Sequence, residues 1–165
     1  MITGARELRG GQEHLVLTRT FAAPIAHVWA AITESERLGR WFCTWTGDPA
    51  TGLVEVTWAF EDEMPVEPYS VDECHPPHHL RVHNVHDDPA QVWTLDARLH
   101  EENGRTVLTF AQVLTGAHPV SDVGPGWEYY LDRLVDSVRT GTVSQVRWSD
   151  YENLGGEYAA AFGSG

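Results

Sequence analysis

Seven tryptophans in 165 residues constrain this chain more than any other feature. Trp58 and Trp93 sit in runs that alternate apolar and polar side chains, and Trp127 opens a long helical stripe. An indole brings a large apolar surface and one N–H that wants a partner when buried. So many rings exceed what a core of this size needs as filling. They suit the walls of an internal cavity, where broad apolar surface is combined with a few polar groups.

The spacing of the other apolar residues says how such walls are built. Residues 12–21 read as a strand, with Leu15 and Leu17 on one face and Val16, Thr18 and Thr20 on the other. Residues 1–11 are polar and glycine-containing and are expected to be loose. Pro24 suits the first position of a helix, and Ile25, Val28, Trp29 and Ile32 follow at i, i+3, i+4, i+7. A second short helix is expected at 34–40. The middle of the chain is strand and turn. Val54, Val56, Trp58 and Phe60 share a face, and an acidic loop spans 61–68. Strands follow at 69–74 (closed by Pro76-Pro77), 80–85 and 91–101, the last with Trp93, Leu95, Ala97 and Leu99 on one face. Glu102-Asn103-Gly104 is a hairpin turn, and Thr106, Leu108, Phe110 and Gln112 share a face on the returning strand. Gly124-Pro125-Gly126 reads as an entry turn to the longest helix, 127–140. Its stripe is Trp127, Leu131, Leu134 and Val138, with Tyr130 beside it. In the tail, 157–162 suits a short helix.

An antiparallel meander with an apolar concave face must be covered, and the last helix is the one element long enough to do it. The expectation is an α+β fold: a curved antiparallel sheet wrapped around a long C-terminal helix, with two short helices after the first strand. The gap between helix and sheet is a natural ligand cavity. One domain is expected over residues 1–165, with a core at about 12–140 and a C-terminal extension at 141–165.

Charge narrows the partners. The chain carries 24 acidic residues against 11 basic ones, all arginine, for a net charge of −13. Nucleic acid and anionic membranes would be repelled, and no apolar run approaches the roughly 20 residues of a membrane span. Met1-Ile2-Thr3-Gly4-Ala5-Arg6 lacks the basic-then-apolar layout of an export signal. Cys43 and Cys74 show no CxxC spacing, so reduced thiols and a cytoplasmic location are expected.

Several segments carry a family resemblance. They are Ala23-Pro24 with Val28-Trp29; Trp41-Phe42 followed by Gly47-Asp48; Glu73-Cys74-His75-Pro76-Pro77-His78-His79-Leu80; Gly104-Arg105-Thr106-Val107-Leu108-Thr109-Phe110; and Gly124-Pro125-Gly126-Trp127 through Leu131-Asp132-Arg133-Leu134. In order and spacing they resemble the START-like, or SRPBCC, superfamily of helix-grip proteins. The closest branch is the one named after the activator of the heat-shock chaperone ATPase. The resemblance covers about residues 12–140 and implies the helix-grip fold. It does not single out an activity, because the superfamily holds lipid carriers, receptors, cyclases and a chaperone co-factor domain.

Candidate chemistry is sparse. His75, His78, His79, His83 and His86 lie within twelve residues. His79 and His83 on one extended strand would be roughly 13 Å apart, too far to share an ion, so no metal and no cofactor are expected. Neither cysteine has a histidine at nucleophile-pair spacing, and no G-x-S-x-G elbow or phosphate loop is present. By strand parity the inward polar residues are Glu73 and Gln112, although a bulge or turn before Pro76 would point Glu73 outward. Many members of the resembled family carry histidine at the position of Gln112. Glutamine cannot shuttle a proton at neutral pH but can hydrogen-bond a ligand, so no catalytic residue is assigned. The expected ligand-binding set is Trp41, Val56, Trp58, Phe60, Tyr69, Trp93, Leu95, Phe110, Gln112, Trp127, Tyr130, Leu131 and Leu134. The leading function is binding or sequestration of an apolar or aromatic small molecule without catalysis. A polyketide cyclase- or dehydratase-like enzyme and a chaperone-activator-like interaction module are the alternatives, and a homodimer is compatible with either.

Overall fold

The computed structural model describes residues 1–58 and 66–162. Eight strands form one antiparallel sheet: β1 (Ala5–Arg9), β2 (Gln12–Phe21), β3 (Thr44–Thr46), β4 (Leu53–Thr57), β5 (Val66–His75), β6 (His79–Asn84), β7 (Thr94–Glu102) and β8 (Arg105–Val113). Their spatial order is β1-β2-β8-β7-β6-β5-β4-β3. Helices α1 (Ile25–Thr33) and α2 (Ser35–Leu38) follow β2, α3 (Val120–Thr140) follows β8, and α4 (Gly155–Phe162) ends the described chain. The α+β helix-grip architecture is thus as the sequence implies. Among the described residues no helix is long and apolar enough to cross a membrane.

The sheet is built from tight hairpins. Asn103 (φ 54°) and Gly104 (φ 78°) both take positive φ between β7 and β8, the pair of left-handed residues whose twist matches the flanking strands. Gly10 and Gly11 do the same between β1 and β2. The N-terminal segment is therefore not loose. Ala5–Arg9 pairs along β2 as an edge strand, a strand whose exposed polar residues lack the apolar alternation that periodicity detects.

The core sits between sheet and helices. Leu15 and Leu17 of β2, Leu99 of β7 and Leu108 of β8 are 3% exposed or less, as are Val28 of α1 and Leu131 and Leu134 of α3. Burying a leucine or valine side chain stabilises by about 1.5–3 kcal/mol.

Helix α3 begins seven residues earlier than the tryptophan stripe suggests, at Val120, so Gly124-Pro125-Gly126 lies inside the helix rather than before it. Proline in a helix leaves the carbonyl four residues back without its donor, here that of Ser121. Gly155 packs against this oxygen so closely that a Cβ would lie 2.8 Å away. A Cβ on Gly124 would meet the Tyr158 ring at 2.5 Å. The glycines here serve the docking of α4 on α3, not a turn. Tyr158, fully buried, donates its hydroxyl to Glu128 Oε2 at 2.6 Å.

Candidate functional site

Alternation along β5 and β7 turns Tyr69 and Leu95 toward α3, and helical spacing sends Trp127 and Tyr130 back toward them. Phe42, in the connection after α2, inserts between. Its ring centroid lies 5.0 Å from Trp58, 5.0 Å from Tyr130, 5.4 Å from Trp127 and 5.2 Å from Trp41. Edge-on and tilted ring pairs at these separations are favourable beyond their burial.

Two cavities flank this cluster. The larger, about 330 Å³, lies under the first turns of α3, with Trp93, His118, Val123, Gly126, Trp127 and Tyr130 around it. The smaller, about 190 Å³, lies against α1 and β3–β6 and has an almost wholly apolar lining. Phe42, Trp58, Tyr69 and Leu95 border both.

The expected site residues distribute between these spaces. Trp93, Trp127 and Tyr130 line the larger one. Trp41, Val56, Phe110, Leu131 and Leu134 line the smaller one, and Trp58, Tyr69 and Leu95 line both. Phe60 lies outside the described residues.

Gln112 requires a correction, because it borders neither cavity. It is fully buried, and its carboxamide oxygen accepts the indole N–H of Trp127. Strand parity put it on the concave face correctly, but the helix covers it there. Its oxygen is thereby engaged by Trp127, while its Nε2 is buried and has no hydrogen-bond partner among the described residues. Glu73 is corrected too. The register of β5 against β6 shifts between Val71 and Glu73. One extra residue in a strand reverses every later side chain, so Val71 and Cys74 line the smaller cavity while Glu73 turns to the opposite face. Trp45 belongs to β3 and donates its indole N–H to Thr33 O at 2.7 Å.

Sequence reading missed the polar part of the larger cavity. Glu67, His118 and Asp122 line it. Glu67 Oε1 accepts the Trp58 indole N–H at 2.9 Å. His118 lies over Trp93 with ring centroids 4.5 Å apart, and its Nε2 is buried without a hydrogen-bond partner among the described residues. His118 lies in the connection just before α3 and Asp122 in its first turn, a helix start that the glycines and proline at 124–126 concealed. The signal was Val120, Val123 and Trp127 at i, i+3 and i+7, continuing the stripe backwards. Burial, and then the Glu67 charge, push the Tyr69 phenol well above its usual range, so it stays neutral as a hydrogen-bond donor. Burial raises the Cys43 thiol to about 12, leaving it without nucleophilic character at neutral pH. For a metal, Glu73, His75 and His79 place ligand atoms within 4.8 Å of one another on the face away from the cavities.

The fold has solved counterparts. CalU16 from Micromonospora echinospora is 24% identical, with a TM-score of 0.75 over 99% of this chain and 98% of its own. EF2215 from Enterococcus faecalis, a conserved protein of unknown function, is 18% identical, with a TM-score of 0.71 over 98% of this chain and 92% of its own. DynU16, a protein in the dynemicin biosynthetic locus, is 22% identical, with a TM-score of 0.67 over 79% of this chain and 49% of its own. These likenesses establish the helix-grip fold. No curated protein matches the sequence. The model of the family described as Activator of Hsp90 ATPase homolog 1-like protein matches residues 22–139, the stretch from α1 to the end of α3 that builds both cavities, and the chain belongs to that family.

Proposed function

We propose that this protein binds an aromatic or otherwise apolar small molecule in the cavity beneath α3, without need of catalysis. The observation that carries the reading is the aromatic enclosure: a space of about 330 Å³ with Phe42, Trp58, Tyr69, Trp93, Trp127 and Tyr130 around it. That volume lies at the lower end of small-molecule sites, and a second, apolar space of about 190 Å³ lies across the shared side chains of Phe42, Trp58, Tyr69 and Leu95. Aromatic walls hold a flat ligand by burial, at about 25 cal/mol per Å². Glu67, His118 and Asp122 supply the few polar groups that would orient it. DynU16's place in a biosynthetic locus supports a product or intermediate of biosynthesis as the ligand class.

The test is titration of the full chain with an aromatic probe such as anilinonaphthalene sulfonate, followed by quenching of tryptophan emission. Native mass spectrometry of protein from its own host accompanies it. Saturable one-site quenching with a co-purified small molecule supports the reading. Absence of both removes it.

A cyclase- or dehydratase-like enzyme is the second reading, and one observation favours it. The cavity has ionisable groups after all, in Glu67, His118 and Asp122, so the glutamine at 112 no longer counts against acid–base chemistry. Turnover of a polyketide-like aromatic, abolished by His118→Gln with binding retained, would establish it. The family's name points instead to a chaperone partner. Besides Met1, the large apolar side chains exposed among the described residues are Leu8, Leu53, Val66, Val85, Val143 and Trp148, and they would have to supply the contact with one.

A further inference from the structure

The hairpin that closes β5 onto β6 carries a second constellation, on the face away from the cavities. Glu73 and His75 are two apart on β5 and share a face. Across the Pro76-Pro77 turn, His75 pairs in register with His79. Side chains directly opposite in an antiparallel pair lie about 4.5–5.5 Å apart at Cβ, and the two imidazoles are nearly parallel, with centroids 6.1 Å apart. Ligand atoms of Glu73, His75 and His79 all fall within 4.8 Å of one another. His79 and His83 lie too far apart along one strand to share an ion, whereas His75 and His79 meet across the hairpin.

The surroundings of His79 add a feature common at metal-binding histidines. Its Nε2 lies 2.8 Å from Oδ2 of Asp96, whose side chain is 5% exposed. Arg81 and Arg98 hold the Asp96 carboxylate from two further directions, at 3.2 and 3.3 Å. Donation of the Nε2 proton to this fixed carboxylate leaves Nδ1 as the lone-pair nitrogen. This is the outer-shell arrangement that fixes tautomer and ring orientation in carboxylate–histidine–zinc triads. His75 and Glu73 are hydrogen-bonded to each other at 2.7 Å and are half to two-thirds exposed, so both are free to turn onto an ion. Cys74 points to the opposite face and lines the smaller cavity, which leaves nitrogen and oxygen donors alone.

We infer that Glu73, His75 and His79 form a site for a divalent transition cation of the zinc type, with solvent as the fourth ligand. Two imidazoles and one carboxylate are a recurrent three-ligand zinc set. The ion would tie β5 to β6 behind the cavity wall that Cys74 and Leu80 line on the other side. The inference is independent of what the cavity binds.

The experiment is calorimetric titration of the tag-free full chain with zinc chloride at neutral pH, with thermal melts at each zinc concentration. One zinc per chain at micromolar concentrations or below is expected, with a Tm that rises as zinc is added. His75→Ala and His79→Ala should each weaken binding at least about tenfold, the scale set even by loss of an outer-shell partner. Glu73→Gln should weaken it as well. His83→Ala and His86→Ala should leave it unchanged. His75 is largely exposed, so its variant reports on binding rather than on folding. No saturable binding, binding retained in His75→Ala, or an equal loss in His83→Ala would overturn the site.

Discussion

Gly126 offers a direct way to separate cavity from fold. It lies within α3 and lines the larger cavity, and a Cβ built on it meets nothing within 4 Å. A leucine there would grow into the space a ligand is proposed to fill. The backbone gains helix propensity, because glycine in a helix interior costs about 0.8–1.0 kcal/mol relative to alanine and leucine ranks close to alanine. Gly126→Leu should therefore leave stability unchanged or raise it by about 1 kcal/mol. Binding should respond in the opposite direction. If the new side chain displaces about 100 Å² of ligand contact, the loss is about 2.5 kcal/mol, on the order of 50- to 100-fold in Kd. Urea unfolding and quenching of tryptophan emission by the aromatic probe measure the two quantities on the same sample. Gly126→Ala is the internal control, raising stability with only a minor effect on binding. Full probe affinity in a stable Gly126→Leu variant would refute the assignment of the ligand to this cavity. A marked loss of stability would show that the space beside Gly126 is not open.

Three further outcomes follow from packing and charge. Gly124→Ala should destabilise, by about 1–3 kcal/mol in urea unfolding, because the new methyl runs into the Tyr158 ring; the same substitution two residues on should stabilise. Glu128 is 3% exposed at its side chain and accepts from Thr3, Arg19 and Tyr158. Burial pushes its carboxyl up, but these hydrogen bonds outweigh it and hold it below the usual carboxylate range. Stability from Glu128 should therefore be complete above about pH 4.5 and fall away as pH drops through the lower folded-state value. Glu128→Gln should cost about 3 kcal/mol at neutral pH and flatten that acid limb. In thiol labelling, exposed Cys74 should react within minutes, while buried Cys43 should react only on unfolding. Fast labelling of both in folded protein would contradict its raised pKa.

Periodicity and turn chemistry made much of the fold legible. Alternation in β2, β7 and β8 and the Asn103-Gly104 turn are local signals, each set by backbone sterics within a few residues, and so is the stripe Trp127–Leu131–Leu134. Local rules also assigned the concave faces of β7 and β8, and with them Trp93, Leu95 and Phe110 as inward residues. They failed where a partner far along the chain decides. Gly124-Pro125-Gly126 has the composition of a turn, yet it lies within α3, where Tyr158, more than thirty positions away, packs on Gly124. The bulge after Val71 changes no residue type but reverses Glu73. Gln112 faces inward as parity says, yet Trp127 claims its oxygen before any ligand could. Phe42 and His118 reach the cavity from connections, and Glu67 from the first residues of β5, where no period marks a face. Sequence by itself thus determined which segments become strands and helices and which apolar stripes turn inward, since those follow from neighbours along the chain. Tertiary structure alone decided which of the inward groups border empty space and which are already paired, and it alone brought His75 against His79 across a hairpin, since both depend on where separate segments meet.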